Sequence, residues 1–377
     1  MNPTLFDTFL TAQRKAIEES FKTWKRFLNL PKVPRMATRV RVGSTPHDVV
    51  YEEDTLKLLR YRSDKGTVPL SSTNVRFREP ILICYALVNR PYILDLQPSR
   101  SVVQQLLMRG FNVYLIDWGV PTAADRTMRL HDYVCGLMKH VGDFVRADAE
   151  SEVFHLFGYC MGGAMSAMYT SVFPEFVKTL TLLAAPIDFS GEQGLLHLWT
   201  KEEYFDVDKL INAYGNCPPA MLQGAFGMMK PVQNFIEKYT TCWENLHDEK
   251  YLENFFAMEH WANDNIPVAG ETFREFVKCL YQRNQLVKGE FRLRHDVPVK
   301  LERITCPLLL LTADFDHLVP PSSTHGIKPH VRSKDIKAMS IAAGHVGLAT
   351  GSKAHRQFWP EAADWIAEHS TERKDEG

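Results

Sequence analysis

The stretch Phe157–Gly163, FGYCMGG, sets a cysteine at the centre of a glycine frame. An apolar run, VFHLFG (153–158), leads into it, and a helix-like segment, MGGAMSAMYTSVF, leads out. Where a strand turns sharply into a helix, the residue at the turn sits in strained backbone geometry, and side chains two residues to either side would collide. Gly158 and Gly162 remove that collision, and Gly163 lets the helix lie close to its neighbours. The helix N-terminus directs its positive dipole end at Cys160, where a nucleophile gains negative charge. A nucleophile on such a turn needs a base, and the base needs an acid to orient it; the chain order is nucleophile, acid, histidine. Downstream, LLLLTADFDHLVPP (308–321) offers Asp314 and Asp316 just after an apolar run, and AAGHVG (342–347) offers His345 on a glycine-flanked loop after the next one. His317 abuts the acid and reads as local structure.

These positions make sense only on a particular scaffold. ILICYALV (81–88), FNVYLIDW (111–118), VFHLFG (153–158), TLTLLAAP (179–186), CPLLLLTAD (306–314) and IKAMSIAAGH (336–345) are apolar enough to be strands buried on both faces. SRSVVQQLLMRG (99–110) and LHDYVCGLMKHVGDFVRAD (130–148) read as helices between them, the first opened by Ser and closed by Gly. Alternating strand and helix with an elbow at the third strand predicts an α/β-hydrolase fold: a mostly parallel, doubly wound sheet. From about 190 to 300 the alternation stops and the chain is rich in Trp, Tyr, Phe and Asn, which predicts a helical lid inserted over the catalytic edge. Residues 1–50 read as an amphipathic helix and linker, and 51–377 as the catalytic domain. In the helix, Phe6, Leu10, Ile17, Phe21, Trp24 and Phe27 share one face, which is expected to dock on the body of the protein or else meet a partner or hydrophobic particle. A polar segment from Lys32 to about Leu70 follows, and the tail TERKDEG is expected to fray.

Bulk composition narrows the function classes. The 377 residues carry 44 Lys and Arg against 45 Asp and Glu, a net charge of −1 that provides no long-range attraction to nucleic acid or anionic membrane. No window approaches the roughly 18 apolar residues that span a bilayer. The 7 cysteines form no C-x-x-C pair, as expected of a reduced, cytoplasmic chain. A cysteine in the elbow, rather than serine, points to acyl transfer from thioesters. Thiolate attack on a thioester gives another thioester, nearly balanced in free energy, and the acyl group stays activated for a second transfer.

At these residues the sequence resembles the polyhydroxyalkanoate synthases, specifically the catalytic subunit of the short, two-subunit class III type. The resemblance runs from about Val50 to the C-terminal helix. It rests on YALVNRPYILDLQPSRS (85–101), VYLIDWG (113–119) followed by PTAADR, GYCMGG, AAPIDF (184–189 region), AGETFREF (269–276), ITCPLLLL (304–311), DHLVPP (316–321) and AGHVG (343–347). The resemblance implies Cys160 as nucleophile, Asp316 rather than Asp314 as acid, and His345 as base. Met161 stands where family members often carry Gln; its backbone N–H is the expected oxyanion donor, with a second from the loop around Val88 or Asn89. The implied substrates are a (R)-3-hydroxyacyl-CoA and the growing polyester chain, with release of CoA and no metal or other cofactor. The implied partners are a second, smaller synthase subunit and the polyester granule surface, with the chain oligomeric. A cysteine-dependent thioesterase or esterase, and a catalytically silent granule-associated subunit, are the alternatives on the same fold. Trp243, Phe255, Phe256, Trp261 and Tyr281 are the aromatic residues expected to keep water from the site.

Overall fold

A continuous apolar strand is stable only where both faces of its sheet are covered. The computed structural model describes residues 3–62, 75–191 and 195–373, and it places the apolar runs in that position. The strands are β1 (His47–Glu53), β2 (Leu56–Tyr61), β3 (Ile81–Cys84), β4 (Asp95–Gln97), β5 (Arg100–Ser101), β6 (Val113–Asp117), β7 (Phe154–Tyr159), β8 (Val177–Leu183), β9 (Leu308–Ala313) and β10 (Ile336–Ile341). The main sheet runs β1-β2-β6-β3-β7-β8-β9-β10, and β4 pairs with β5 apart from it. From β6 to β10 every neighbouring pair is parallel, whereas β1–β2 and β2–β6 are antiparallel. Every residue of β3, β7 and β9 is buried. This is the α/β-hydrolase architecture, with a mostly parallel sheet.

The helices used below are α1 (Pro3–Asn29), α2 (Val102–Arg109), α3 (Met138–Asp148), α4 (Met161–Val172), α5 (Glu249–Asn263) and α6 (Trp359–Glu368). In α2, Ser101 Oγ accepts the Gln104 N–H at 3.0 Å, and Gly110 ends the helix at φ 103°. Helix α4 is buried along nearly its whole length against the sheet. Its serine and threonine hydroxyls bond within the helix: Ser166 donates to the Gly162 carbonyl, Thr170 to that of Ser166 and Ser171 to that of Met168. Between β8 and β9 the chain leaves the sheet for a series of helices that includes Leu195–Thr200, Val207–Tyr214, Pro219–Met228, Lys238–Glu244 and α5.

Two sequence expectations need correction. The segment from Lys32 to Leu70 is not merely a polar connector, because β1 and β2 form a hairpin there, turning at Asp54 with φ 52°. Strand β1 lies at the sheet edge with its residues exposed or half-buried, so it never shows the apolar run of a central strand. The tail is not wholly frayed. Buried Glu79 accepts the backbone N–H and the hydroxyl of Thr371, each at 2.8 Å, and Arg373 N–H donates to the Arg76 carbonyl. Residues 374–377 lie outside the described residues.

Among the described residues, helix α1 docks with polar groups, and the described half of its apolar stripe is exposed. Phe21, Trp24 and Phe27 are 58%, 57% and 68% exposed, while Phe6, Leu10 and Ile17 lie outside the described side chains. The contact is made by the Arg26 guanidinium on the Glu244 carbonyl (3.1 and 2.9 Å), the Asn29 amide on the Leu246 carbonyl (2.8 Å) and Lys32 on Glu249 (2.6 Å). Carbonyls at a helix C-terminus lack intrahelical partners, so donors are what that end of Lys238–Glu244 can hold.

Glu79 anchors the C-terminus to the mouth of β3, with Lys178 at 3.8 Å as its remaining charged neighbour. Thr371→Val removes one donor to a buried carboxylate and is expected to cost about 1–3 kcal/mol in urea unfolding. An unchanged midpoint would show that water replaces the hydroxyl.

Candidate active site

The site begins where β7 ends. Cys160 takes φ 54° and ψ −128°, and α4 starts at Met161. The frame around it is too tight for any side chain. A Cβ on Gly162 would lie 2.3 Å from the Cys84 carbonyl oxygen, and one on Gly158 would lie 2.5 Å from Gly163 Cα. Gly163 packs equally closely, its added Cβ falling 2.4 Å from that of Ala185. The Cys160 N–H donates to the Leu183 carbonyl at 2.9 Å, which ties the elbow to the end of β8.

The other two residues come from the ends of the next strands. Asp316 follows β9, and its Oδ1 accepts the N–H groups of Leu318 (2.9 Å) and Val319 (2.8 Å). Its Oδ2 lies 2.7 Å from Nδ1 of His345, which follows β10. The Asp316 side chain is fully buried and that of His345 is 12% exposed, so the pair is shielded from water. Asp314, the other acid left open by spacing, instead faces the Ser340 hydroxyl. The ring of Tyr159 stacks on the His345 imidazole, with centroids 5.2 Å apart, and its hydroxyl donates to the His345 carbonyl at 3.2 Å. Burial alone would lower the His345 pKa, but the charges of Asp316 and Cys160 outweigh it and raise the value to about 10.

Cys160 and His345 open onto one cavity of about 590 Å³. The loop after β3 contributes Tyr85, Ala86, Val88 and Asn89, with Asn89 in the left-handed region at φ 60°. Met161, the other expected backbone donor, stands immediately after Cys160 at the start of α4. The opposite wall comes from the helices between β8 and β9. Of the aromatic residues expected there, Trp261 lines the cavity, whereas Trp243 is 58% exposed and Phe255 and Phe256 pack on each other. Tyr281 packs against Phe189, and burial together with the charges of Cys160 and Asp316 pushes its hydroxyl pKa up. Phe226, Phe235, Tyr239 and Lys230 line the cavity and were not singled out by sequence reasoning, nor was the contribution of His317 to its rim. The readable signal was an apolar stripe at helical spacing, Met228, Val232, Phe235, Ile236, Tyr239 and Trp243. Lys238 is paired with Glu259 at 2.8 Å, while Lys230 has no ion pair among the described residues.

Comparison with known proteins places this geometry in context. The family model described as "alpha/beta hydrolase fold" matches residues 79–336, and that of the "Poly-beta-hydroxybutyrate polymerase (PhaC) N-terminus" matches 34–106. A poly(3-hydroxyalkanoate) polymerase subunit PhaC from Haloferax mediterranei is 42% identical over 100% of this chain and 74% of its own length. Proteins of the same name from Synechocystis and Allochromatium vinosum are 38% and 37% identical, covering 87% and 88% of this chain and 86% and 91% of theirs. Among solved structures, BpoC from Mycobacterium tuberculosis is similar at a TM-score of 0.50 and 14% identity, covering 86% of this chain and 100% of that one; this likeness concerns the fold alone.

The ion pair generates a direct prediction. Followed by NMR, the His345 imidazole is expected to stay protonated through neutral pH, and Asp316→Asn is expected to move its midpoint down by about 1–3 units. A wild-type midpoint near the ordinary value of about 6.5 would mean that Asp316 and Cys160 do not hold the proton.

Proposed function

The chain belongs to the poly(3-hydroxyalkanoate) polymerase family of α/β-hydrolase-fold enzymes, and from that membership we propose that it polymerises (R)-3-hydroxyacyl-CoA by way of an acyl thioester on Cys160. The observation that carries the reading is a strained cysteine sharing one cavity with a histidine whose proton is held by a buried carboxylate. In this cycle His345 holds the Cys160 proton while the thiolate attacks the thioester carbonyl. The backbone N–H groups of Met161 and of Val88 or Asn89 receive the developing oxyanion. The C–S bond to CoA breaks, His345 protonates the departing thiolate, and free CoA leaves. A hydroxyl from another acyl unit or chain then gives its proton to His345 and attacks the acyl-cysteine carbonyl. An ester forms, and the Cys160 sulfur is released to recover its proton from His345. Trp261 and Phe226 on the cavity wall support this reading, because water reaching the acyl-cysteine would hydrolyse it.

The proposal extends to partners. Polyester is apolar, and the exposed Phe21, Trp24 and Phe27 of α1, with Phe235, Ile236, Tyr239 and Trp243 of the inserted helices, support contact with a growing granule or with a second, smaller subunit. CoA brings phosphates, and Lys230 is a cation free to receive them at the cavity wall.

Incubation with (R)-3-hydroxybutyryl-CoA, with and without a candidate second subunit, is expected to release CoA and give high-mass polyester. Release of CoA with only free hydroxybutyrate would instead identify a thioesterase. Cys160→Ala is expected to abolish covalent acylation. His345→Ala and Asp316→Ala are expected to fold and to lose roughly 10²–10⁴ in turnover, and wild-type rates in either would remove that residue from the cycle. Lys230→Gln is expected to raise KM roughly tenfold for the CoA thioester and to leave KM for the phosphate-free N-acetylcysteamine thioester unchanged. Equal effects on both substrates would assign Lys230 to the fold.

A further inference from the structure

The loop after β3 is held at both ends by indole N–H groups. At its base the Tyr85 carbonyl accepts Trp118 Nε1 at 2.9 Å, and Trp118 belongs to the core beside β6. At its far end the Arg90 carbonyl accepts Trp261 Nε1 at 2.8 Å, and Trp261 belongs to α5 in the insertion. Between the two anchors, Ala86, Val88 and the left-handed Asn89 line the same cavity as Cys160, while Leu87 is buried in the core. A second tie from the insertion reinforces the far anchor. Asp264, at the C-terminus of α5, accepts Arg90 Nε at 3.3 Å on one oxygen and the Tyr92 hydroxyl at 3.0 Å on the other.

A backbone N–H stabilises an oxyanion only if it points to where the charge develops, and the direction of a peptide plane follows from the dihedrals on either side. With Tyr85, Ala86 and Leu87 held by the core, the remaining freedom lies at Val88 and Asn89 and is limited by whatever fixes Arg90. We infer that Trp261 and Asp264 are positioning residues for this loop, so that the oxyanion-binding geometry opposite Cys160 is set by the seating of the helical insertion on the sheet. Trp261 acts through the Arg90 carbonyl, and Asp264 through the Arg90 and Tyr92 side chains. Asp264 is not among the residues lining the cavity, so an effect of changing it must travel through the loop. The inference rests on the acyl-transfer reading above and adds to it a coupling between the insertion and the chemical step.

The test separates acylation of Cys160, which needs an oxyanion site, from alkylation of the same sulfur by iodoacetamide, which does not. Trp261→Phe keeps an aromatic ring and loses the N–H; Asp264→Asn keeps the size and loses the charge. In single-turnover acylation by (R)-3-hydroxybutyryl-CoA, both variants are expected to be slowed about 10- to 100-fold, less than loss of a whole oxyanion donor can cost. For Asp264→Asn, whose side chain is outside the cavity lining, KM is expected to stay within about threefold and the iodoacetamide rate within about twofold. Acylation at the wild-type rate in Asp264→Asn would overturn the inference. So would a parallel fall in acylation and alkylation, which would mean a general distortion of the site. A wild-type chain that is alkylated but never acylated would defeat the acyl-transfer reading itself, and this inference with it.

Discussion

The rest of the site depends on one backbone conformation, that of Cys160 at φ 54° and ψ −128°. A non-glycine residue there costs on the order of 1–3 kcal/mol and persists only if its surroundings over-determine it. The parallel register supplies that constraint. Strand β7 is flanked by β3 and β8, the Cys160 N–H is taken by the Leu183 carbonyl, and the Gly163 N–H returns to the Cys160 carbonyl at 2.8 Å. The same crowding that holds the turn forbids side chains at Gly158 and Gly162. Relaxing the strain by substitution is therefore closed off sterically before it is considered energetically.

From this fixed point the site is assembled out of strand ends. Parallel strands bring their C-terminal edges together, so β7, β9 and β10 deliver Cys160, Asp316 and His345 to one rim although the chain separates them widely. What the sheet cannot deliver is the opposite wall. That comes from the helices between β8 and β9, which bury Val207, Ile211, Ala257 and Phe276 in the core and add polar ties, Trp261 to Arg90 and Asp264 to Tyr92 among them.

Legibility in the sequence follows the same division. The apolar runs of β3, β7 and β9 are readable because double-sided burial leaves no polar positions in them, and the elbow is readable because only glycine fits beside it. The β1–β2 hairpin is not, since an edge strand with exposed positions resembles any polar segment. Spacing leaves Asp314 and Asp316 equivalent, and three-dimensional direction separates them: one meets Ser340, the other His345. Phe235 and Tyr239 carry a readable stripe, but the sequence does not say which side of it meets the cavity, because which face of a surface helix turns inward is decided by partners far away in the chain. For the same reason the sequence left open which of two surfaces the stripe of α1 would meet. Periodicity shows that Phe21, Trp24 and Phe27 share a face, and not that Arg26 and Asn29 make the contact.

The charges of the site also bear on the order of the proposed steps. A histidine that keeps its proton up to about 10 suits the first half of the cycle, in which a thiolate needs a cation beside it and a departing CoA thiolate needs a proton. It would be a poor base for the second half, when a hydroxyl has to be deprotonated. The two charges that raise the pKa of His345 are those of Asp316 and Cys160, acting against burial, which lowers it. Acylation neutralises the sulfur and leaves Asp316 alone against burial, so the imidazole becomes easier to deprotonate as soon as the acyl group is loaded. Loss of its proton to the departing CoA then leaves His345 as the free base that the incoming hydroxyl requires. In the proposed cycle, loading and release of the acyl group would therefore add and remove one of the two charges that raise the His345 pKa.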